Sequence, residues 1–269
     1  MYPSKKIVFI ASAIFVLVAV GVVFFSEPFS TRAAHFVWGR YHSGALALAL
    51  DRRDAPLALQ IGNDAFGIGA YNPPLAEKAF RKAVSIDPGI FWGHYQLARV
   101  LFVEANLKDA EIEINKELRY HPSNLRALYV RGLVYAYEKN LPAATLDFEH
   151  FTEWAPTEWA GYNDLAWVLA QESHYIEAKA ALERGFKNAI GAASNPWLWN
   201  NLGVQELNLR DYKNAIASFE KAKTLATSLS AHAWKSAYPG NNPSGSAEEI
   251  KAFQDAIETN LARARAGLF

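Results

Sequence analysis

Four alanines recur at intervals of 34 residues, Ala76, Ala110, Ala144 and Ala178, and each is followed four positions later by a large apolar residue: Phe80, Ile114, Phe148 and Leu182. A fifth pair, Ala215 and Phe219, comes after a step of 37, while Pro88, Pro122 and Pro156 keep the 34-residue step. A period of this length marks a chain built of small supersecondary units, each burying its apolar face against the next. No other feature constrains the fold as tightly.

Residues four apart lie one above the other on a helix, so each alanine and its large partner share a face. The alanine lets a neighbouring helix approach, and the large side chain fills the space enclosed. Proline lacks an amide hydrogen and biases the residue before it away from helix, so Asp87, His121 and Ala155 are expected helix exits. Counting back from the prolines places a first helix in each unit. Its apolar and small residues are Leu97, Ala98 and Leu101, then Leu128, Gly132 and Tyr135, then Tyr162, Leu165, Ala166 and Leu169, then Trp199, Leu202 and Gly203.

These residues resemble the tetratricopeptide repeat family, whose pattern sets Trp, Leu-Gly, Tyr, Ala, Phe, Ala and Pro at fixed places in 34 residues. The fold implied is all-α, a right-handed superhelical solenoid of about five helix-turn-helix repeats over 57–90, 91–124, 125–158, 159–195 and 196–229. The match is closest for 91–124, 125–158 and 196–229. The first unit offers Asn63, Asp64 and Gly67 where apolar residues are expected. The fourth lacks its terminal proline, has Gly185 in place of alanine, and carries three extra residues in 188–194.

Nineteen uncharged, mostly apolar residues, Ile7–Phe25, precede the repeats. At 1.5 Å per residue they cover roughly 28 Å, close to the hydrocarbon thickness of a bilayer. Lys5 and Lys6 stand on the amino-terminal side, and the other flank meets its first arginine only at Arg32. Positive flanks stay inside, so the expectation is one N-terminal transmembrane signal anchor over 7–25, a cytoplasmic tail over 1–6, and repeats outside the cytoplasmic (inner) membrane. A signal peptide cut near Ala19-Val20-Gly21, giving a secreted chain, is the alternative.

A juxtamembrane helix or linker is expected over 26–53, where Phe36, Trp38 and Tyr41 either sit at the headgroups or pack on the repeats. Asp54 ahead of Pro56 marks the start of the repeat domain, 54–229. Residues 230–245 read as a loop. Ser246 with Glu249 then forms a capping box for a helix over 246–269, whose Ile250, Phe253, Ile257 and Leu261 share one face and would cover the last repeat.

The formal charge is zero, and without Lys5 and Lys6 the remainder carries 25 basic against 27 acidic residues. No helix gathers enough Lys and Arg to bind nucleic acid. The absence of cysteine excludes disulfides and thiolate chemistry. None of the seven histidines forms a metal-binding pair, and no nucleophile elbow or phosphate loop appears, so no catalytic residue, metal or cofactor is expected. Glu111, Glu113 and Glu117 alternate with Lys108, Lys116 and Arg119 and read as a solvated helix face.

The resemblance implies an inner wall lined by the first helices and open to a protein or peptide partner. The second, fifth, sixth and ninth places of those helices supply Trp92, Tyr95, Gln96 and Arg99, then Arg126, Tyr129, Val130 and Leu133, then Asn163, Asp164 and Trp167, then Trp197, Asn200, Asn201 and Val204. Amides pair with an extended backbone while aromatic walls cover its side chains. Asn163, Asn200 and Asn201 are the expected backbone readers. The terminal-carboxylate clamp of some family members is disfavoured, because Tyr95, Arg99, Val130 and Asp164 occupy its places. The function expected is a non-catalytic scaffold for envelope protein assembly. A glycan or small-ligand binding module is the second reading.

Overall fold

A computed structural model describes residues 27–67, 71–236 and 247–267. The expected membrane span over 7–25, the turn-rich run 237–245 and Ser246 lie outside the described residues. Among the described residues there is no strand, and no helix is long and apolar enough to cross a membrane. They form two compact units, one of the residues up to Phe66 with Asn72–Gly93, the other chiefly of the residues from His94 onward.

The first unit has four helices: α1 (Glu27–Tyr41), α2 (Gly44–Leu50), α3 (Ala55–Ala65) and α4 (Pro73–Ile86). The small residues of α1 and α2 make them good packers. Ala34, Ala47 and Leu48 join Leu57, Ala58, Ile61, Ala79 and Ala83 in one core, with Trp38 packed against it. Phe36 and Tyr41 are 62% and 65% exposed. Gly44 permits the close approach, since a methyl group there would lie 2.9 Å from the Ile61 side chain. Asp54 caps α3 by accepting the Leu57 N–H at 2.8 Å, and Asn72 caps α4 by accepting that of Leu75 at 3.2 Å.

The irregular first unit has a physical explanation. Elsewhere the small residue facing the large one stands sixteen positions before it, as Gly132 does to Phe148 and Gly203 to Phe219, but here Gly62 faces Phe80, eighteen positions on. The polar residues at 63 and 64 therefore fall outside the contact and are exposed. Asp51, also buried, accepts from the backbone of Arg53 and Asp54, and the Lys82 ammonium donates to the carbonyls of Leu48 and Asp51. Burial holds that lysine below its ordinary pKa, against the attraction of Asp51.

The second unit is a run of hairpins: α5 (Gly93–Val103) with α6 (Leu107–Tyr120), α7 (Leu125–Tyr137) with α8 (Leu141–Trp154), α9 (Trp159–Gln171) with α10 (Tyr175–Asn188), and α11 (Pro196–Asn208) with α12 (Tyr212–Ala226). Ala110, Ala144, Ala178 and Ala215 are fully buried, as are Ile114, Phe148, Leu182 and Phe219. Each such large side chain contributes roughly 1.5–3 kcal/mol. Helices α6 and α8 end at His121 and Ala155, the residues ahead of Pro122 and Pro156.

Inside every hairpin one non-glycine residue turns the chain in the left-handed region: Ala105, Lys139, Ser173 and Arg210, with φ between 59° and 64°. The next residue then donates its N–H five positions back, as Asn140 does to Tyr135 and Asp211 to Glu206. This bond ties off the carbonyls left open at the helix end. At the fourth repeat the missing proline is replaced by Gly191 at φ 73° and a 3-10 turn, Ala192–Ser194, which takes up the extra residues. Gly185 is required because a methyl there would press within 2.9 Å of Tyr162.

After α12 comes α13 (Ala231–Ser236), a short helix inside the stretch expected to be a loop, and then α14 (Ala247–Ala266). Ile257, Leu261 and Ala264 pack on Ala215, Phe219, Ala222 and Ala226, with Phe253 at the margin. The Gln254 amide donates to the Ala226 carbonyl at 2.8 Å, and Arg265 pairs with Glu220 at 2.9 Å.

One expectation for α6 is corrected. Glu113 and Glu117 do not face water but are 7% and 0% exposed, while Ile112 between them is 46% exposed. The first turn of α5 explains the inversion. Its amide groups have no partner within the helix, and Glu117 accepts the Tyr95 N–H at 3.1 Å and the Asn124 side-chain amide at 2.9 Å. Glu113 takes His94 at 2.5 Å and Lys116 at 2.8 Å.

Candidate functional site

Helices α9 and α11, first members of consecutive hairpins, pack side by side and bring six of the expected residues to one pocket of about 340 Å³. Asn163 and Trp167 come from α9, and Trp197, Asn200, Asn201 and Val204 from α11. The spacing explains the grouping: Asn163 and Trp167 are four apart on α9, and Trp197, Asn201 and Gln205 follow at the same interval on α11. Tyr175, at the start of α10, completes an aromatic wall.

Beneath the wall runs a chain of side-chain amides. Gln205 Nε2 donates to Asn201 Oδ1 at 2.7 Å, and Asn201 Nδ2 donates to the Asn163 carbonyl at 2.8 Å and to its Oδ1 at 3.2 Å. Asn163 Nδ2 donates to Asp164 Oδ1 at 3.1 Å, and the Tyr129 hydroxyl donates to Asp164 Oδ2 at 2.5 Å. Burial raises the Asp164 pKa to about 6, against the pull of the Tyr129 and Asn163 hydrogen bonds, which favour the charged form. Tyr129 and Asp164 therefore lie within the wall, behind the pocket, and not on its surface as the sequence positions suggested. Their exclusion follows from pairing: a buried carboxylate needs donors, and the phenol one repeat earlier supplies one.

The remaining expected residues lie outside this pocket. Tyr95 is buried under the Arg99 guanidinium, 5.6 Å from the ring centre, and burial raises its pKa against the opposing effect of Arg99 and Arg126. Arg99 also donates to Gln96 at 2.6 Å, and Arg126 is exposed. Val130 and Leu133 are core residues. Trp92 belongs to the first unit and sits in the turn ahead of α5, at φ 72° and edge-on to Phe91, because α5 begins only at Gly93.

Five lining residues escaped the sequence reading: Ala170, Gln171, Tyr175, Gln205 and Asn208. The repeat itself carries a signal for two of them, since Gln171 and Asn208 hold the thirteenth place of successive units. Gln205 was legible only as the i+4 neighbour of Asn201. Aromatic rings continue from the pocket in both directions. Trp167 meets Tyr137 at 5.8 Å and Tyr137 meets Phe102 at 5.2 Å, while Trp197 stacks between Trp159 at 5.4 Å and Phe253 at 5.7 Å.

Residues 198–228, spanning most of α11 and all of α12, match the tetratricopeptide repeat family. The solved structure of MamA (41-end) from Desulfovibrio magneticus RS-1 is similar, with a TM-score of 0.57 at 19% identity, covering 65% of this chain and 96% of that one. The fold is that of tetratricopeptide-repeat proteins. YrrB, described as a tetratricopeptide protein with an unusual peptide-binding site, is similar over 69% of this chain and 93% of its own, at TM-score 0.54 and 18% identity. Pseudomonas aeruginosa pilF is similar over 77% of this chain and 88% of its own, at TM-score 0.56 and 19% identity. No curated protein matches the sequence. In the tetratricopeptide frame, the pocket is formed by the first helices of the fourth and fifth repeats.

Proposed function

We propose that the chain is a non-catalytic scaffold, anchored in the cytoplasmic membrane by residues 7–25, whose tetratricopeptide repeats lie outside that membrane and hold an extended segment of a partner protein during envelope assembly. The observation that carries this reading is the pocket between α9 and α11, with aromatic walls, an amide floor and no charged residue in its lining. Side-chain amides pair with peptide N–H and C=O groups, and Trp167 and Trp197 cover the side chains between them. The likeness to the fold of YrrB supports a peptide as guest. The uncharged run 7–25 and Lys5-Lys6 support the anchor and its orientation.

Capture from detergent-solubilised membranes tests the reading. The wild-type chain is expected to retain a protein that Trp167→Ala and Asn200→Ala lose. Recovery of the same proteins by all three would overturn the groove as the binding surface. Protection of the pocket by envelope sugars but not by peptides would replace the peptide with a glycan. Protease added to intact spheroplasts should digest the repeats; digestion only after lysis would reverse the topology.

A further inference from the structure

We infer that the pocket between α9 and α11 admits a cationic side chain, a guanidinium or an ammonium, of the polypeptide it holds. This rests on the peptide-binding reading and adds the chemistry of the residue that enters. The amides of the pocket have a built-in direction. A backbone carbonyl can only accept, so the Asn163 carbonyl, 2.8 Å from Asn201, fixes Nδ2 of Asn201 toward it. Asn201 Oδ1 is then the atom facing Gln205 at 2.7 Å, which fixes Nε2 of Gln205 in turn. The free end of the series is Gln205 Oε1. It is buried and has no hydrogen-bond partner among the described residues, and the same holds for Asn200 Oδ1 beside it in the lining.

With Asn200 Oδ1 as a second unpaired acceptor in the lining, the series starts at the Asp164 carboxylate and ends under the pocket at Gln205 Oε1. Every amide dipole between them points its negative end the same way. The walls add to this field through Trp167 and Tyr175, because an aromatic face carries the negative part of the ring's quadrupole, whereas the faces of Trp197 are taken by Trp159 and Phe253. None of the lining residues is Lys, Arg, His, Asp or Glu. An anionic guest finds no donor of matching charge, and a neutral guest uses the acceptors but not the ring faces. A cation uses both. Asn200 is itself partly exposed, so a side-chain rotation brings its Oδ1 to the guest and ends its unpaired state.

The test uses the full chain in detergent micelles, with N-acetyl-arginine amide and its uncharged counterpart N-acetyl-citrulline amide as probes. The readout is the indole N–H signals of Trp167 and Trp197, assigned by substitution. The arginine compound is expected to move both signals at a concentration about tenfold lower than the citrulline compound. Asn200→Asp should tighten the arginine compound alone, and Trp167→Leu, at an unchanged melting temperature, should abolish the response. Equal response to the two compounds, no response to either, or movement confined to other indoles would overturn the inference. The two readings fail separately. Partner capture that depends on Trp167 and Asn200, with equal response to both compounds, sinks only the cation. Capture independent of those residues, with an arginine-selective response, sinks only the peptide scaffold.

Discussion

The α5–α8 hairpins and the α9–α12 hairpins repeat the same apolar skeleton but settle their inward polar positions differently. In the first pair buried carboxylates meet cations and donors: Asp147 receives both forks of Arg131 at 2.7 Å, Glu113 receives His94 and Lys116, and Glu117 receives Asn124. Opposite charges close on each other there. In the second pair Glu206 still meets Lys179 at 3.4 Å and Ser218 at 2.7 Å, but Asn163, Asn201 and Gln205 along α9 and α11 link in series and leave Gln205 Oε1 unpaired beneath a pocket. Small and large apolar residues at fixed spacing therefore build the stack, and the choice between ion pair and amide decides whether its wall is filled or open.

The sharpest way to break this contrast is to remove one member from each wall. Arg131→Ala leaves the Asp147 carboxylate buried without its bidentate partner, which should cost about 3–5 kcal/mol. Asn201→Ala removes neutral hydrogen bonds and should cost about 1–2 kcal/mol. Urea unfolding of the two variants against wild type checks both. Losses of equal size would mean that the two walls are held in the same way.

The two walls should also respond to pH with opposite signs. Burial disfavours the charge of Glu113, but hydrogen bonds from His94 and Lys116 outweigh it and hold the pKa below the ordinary carboxylate value. Its contribution is present above the unfolded-state pKa and is lost as the pH falls through the folded one. Asp164 is raised from 3.8 to about 6, so the folded state holds its proton more tightly than the unfolded state. That contribution is complete below 3.8 and disappears as the pH rises through 6, a change of about 3 kcal/mol. Asp164→Asn should remove a fall in stability between pH 4 and 6, whereas Glu113→Gln should remove a loss of stability on acidification. Melting temperatures between pH 4 and 6 for Asp164, and from pH 4.5 downward for Glu113, give the slopes, and slopes of the same sign would refute the contrast.

The skeleton was legible in the sequence because each of its positions has one physical demand. Ala110 and Ile114 need only be small and large, and Pro122 need only stop a helix. The site was legible in part. Asn163, Trp167, Trp197, Asn200 and Asn201 follow from counting along repeats and do converge. Counting places Tyr129 and Asp164 on the surface because it cannot register a bond between residues 35 apart that draws a phenol and a carboxylate inward. Glu113 and Glu117 were hidden for a related reason. Their charge pattern is that of a solvated helix, and the Tyr95 amide that meets Glu117 and the His94 ring that meets Glu113 belong to α5, an element the pattern of α6 does not contain.

The smallest effect tests what the two walls share. Lys139 turns the α7–α8 hairpin and Arg210 the α11–α12 hairpin, at φ 64° and 61°, a region in which a side chain crowds the following carbonyl by about 1–2 kcal/mol. Glycine adopts it without that strain but enlarges the freedom of the unfolded chain, so the net gain shrinks to about 0.5–1 kcal/mol. Both side chains are exposed, and neither substitution removes a buried contact. Lys139→Gly and Arg210→Gly should therefore raise the melting temperature slightly and by the same amount. A gain at one turn and a loss at the other would place a difference in the backbone itself, and the contrast between the ion-paired wall and the amide wall would then not belong to side chains alone.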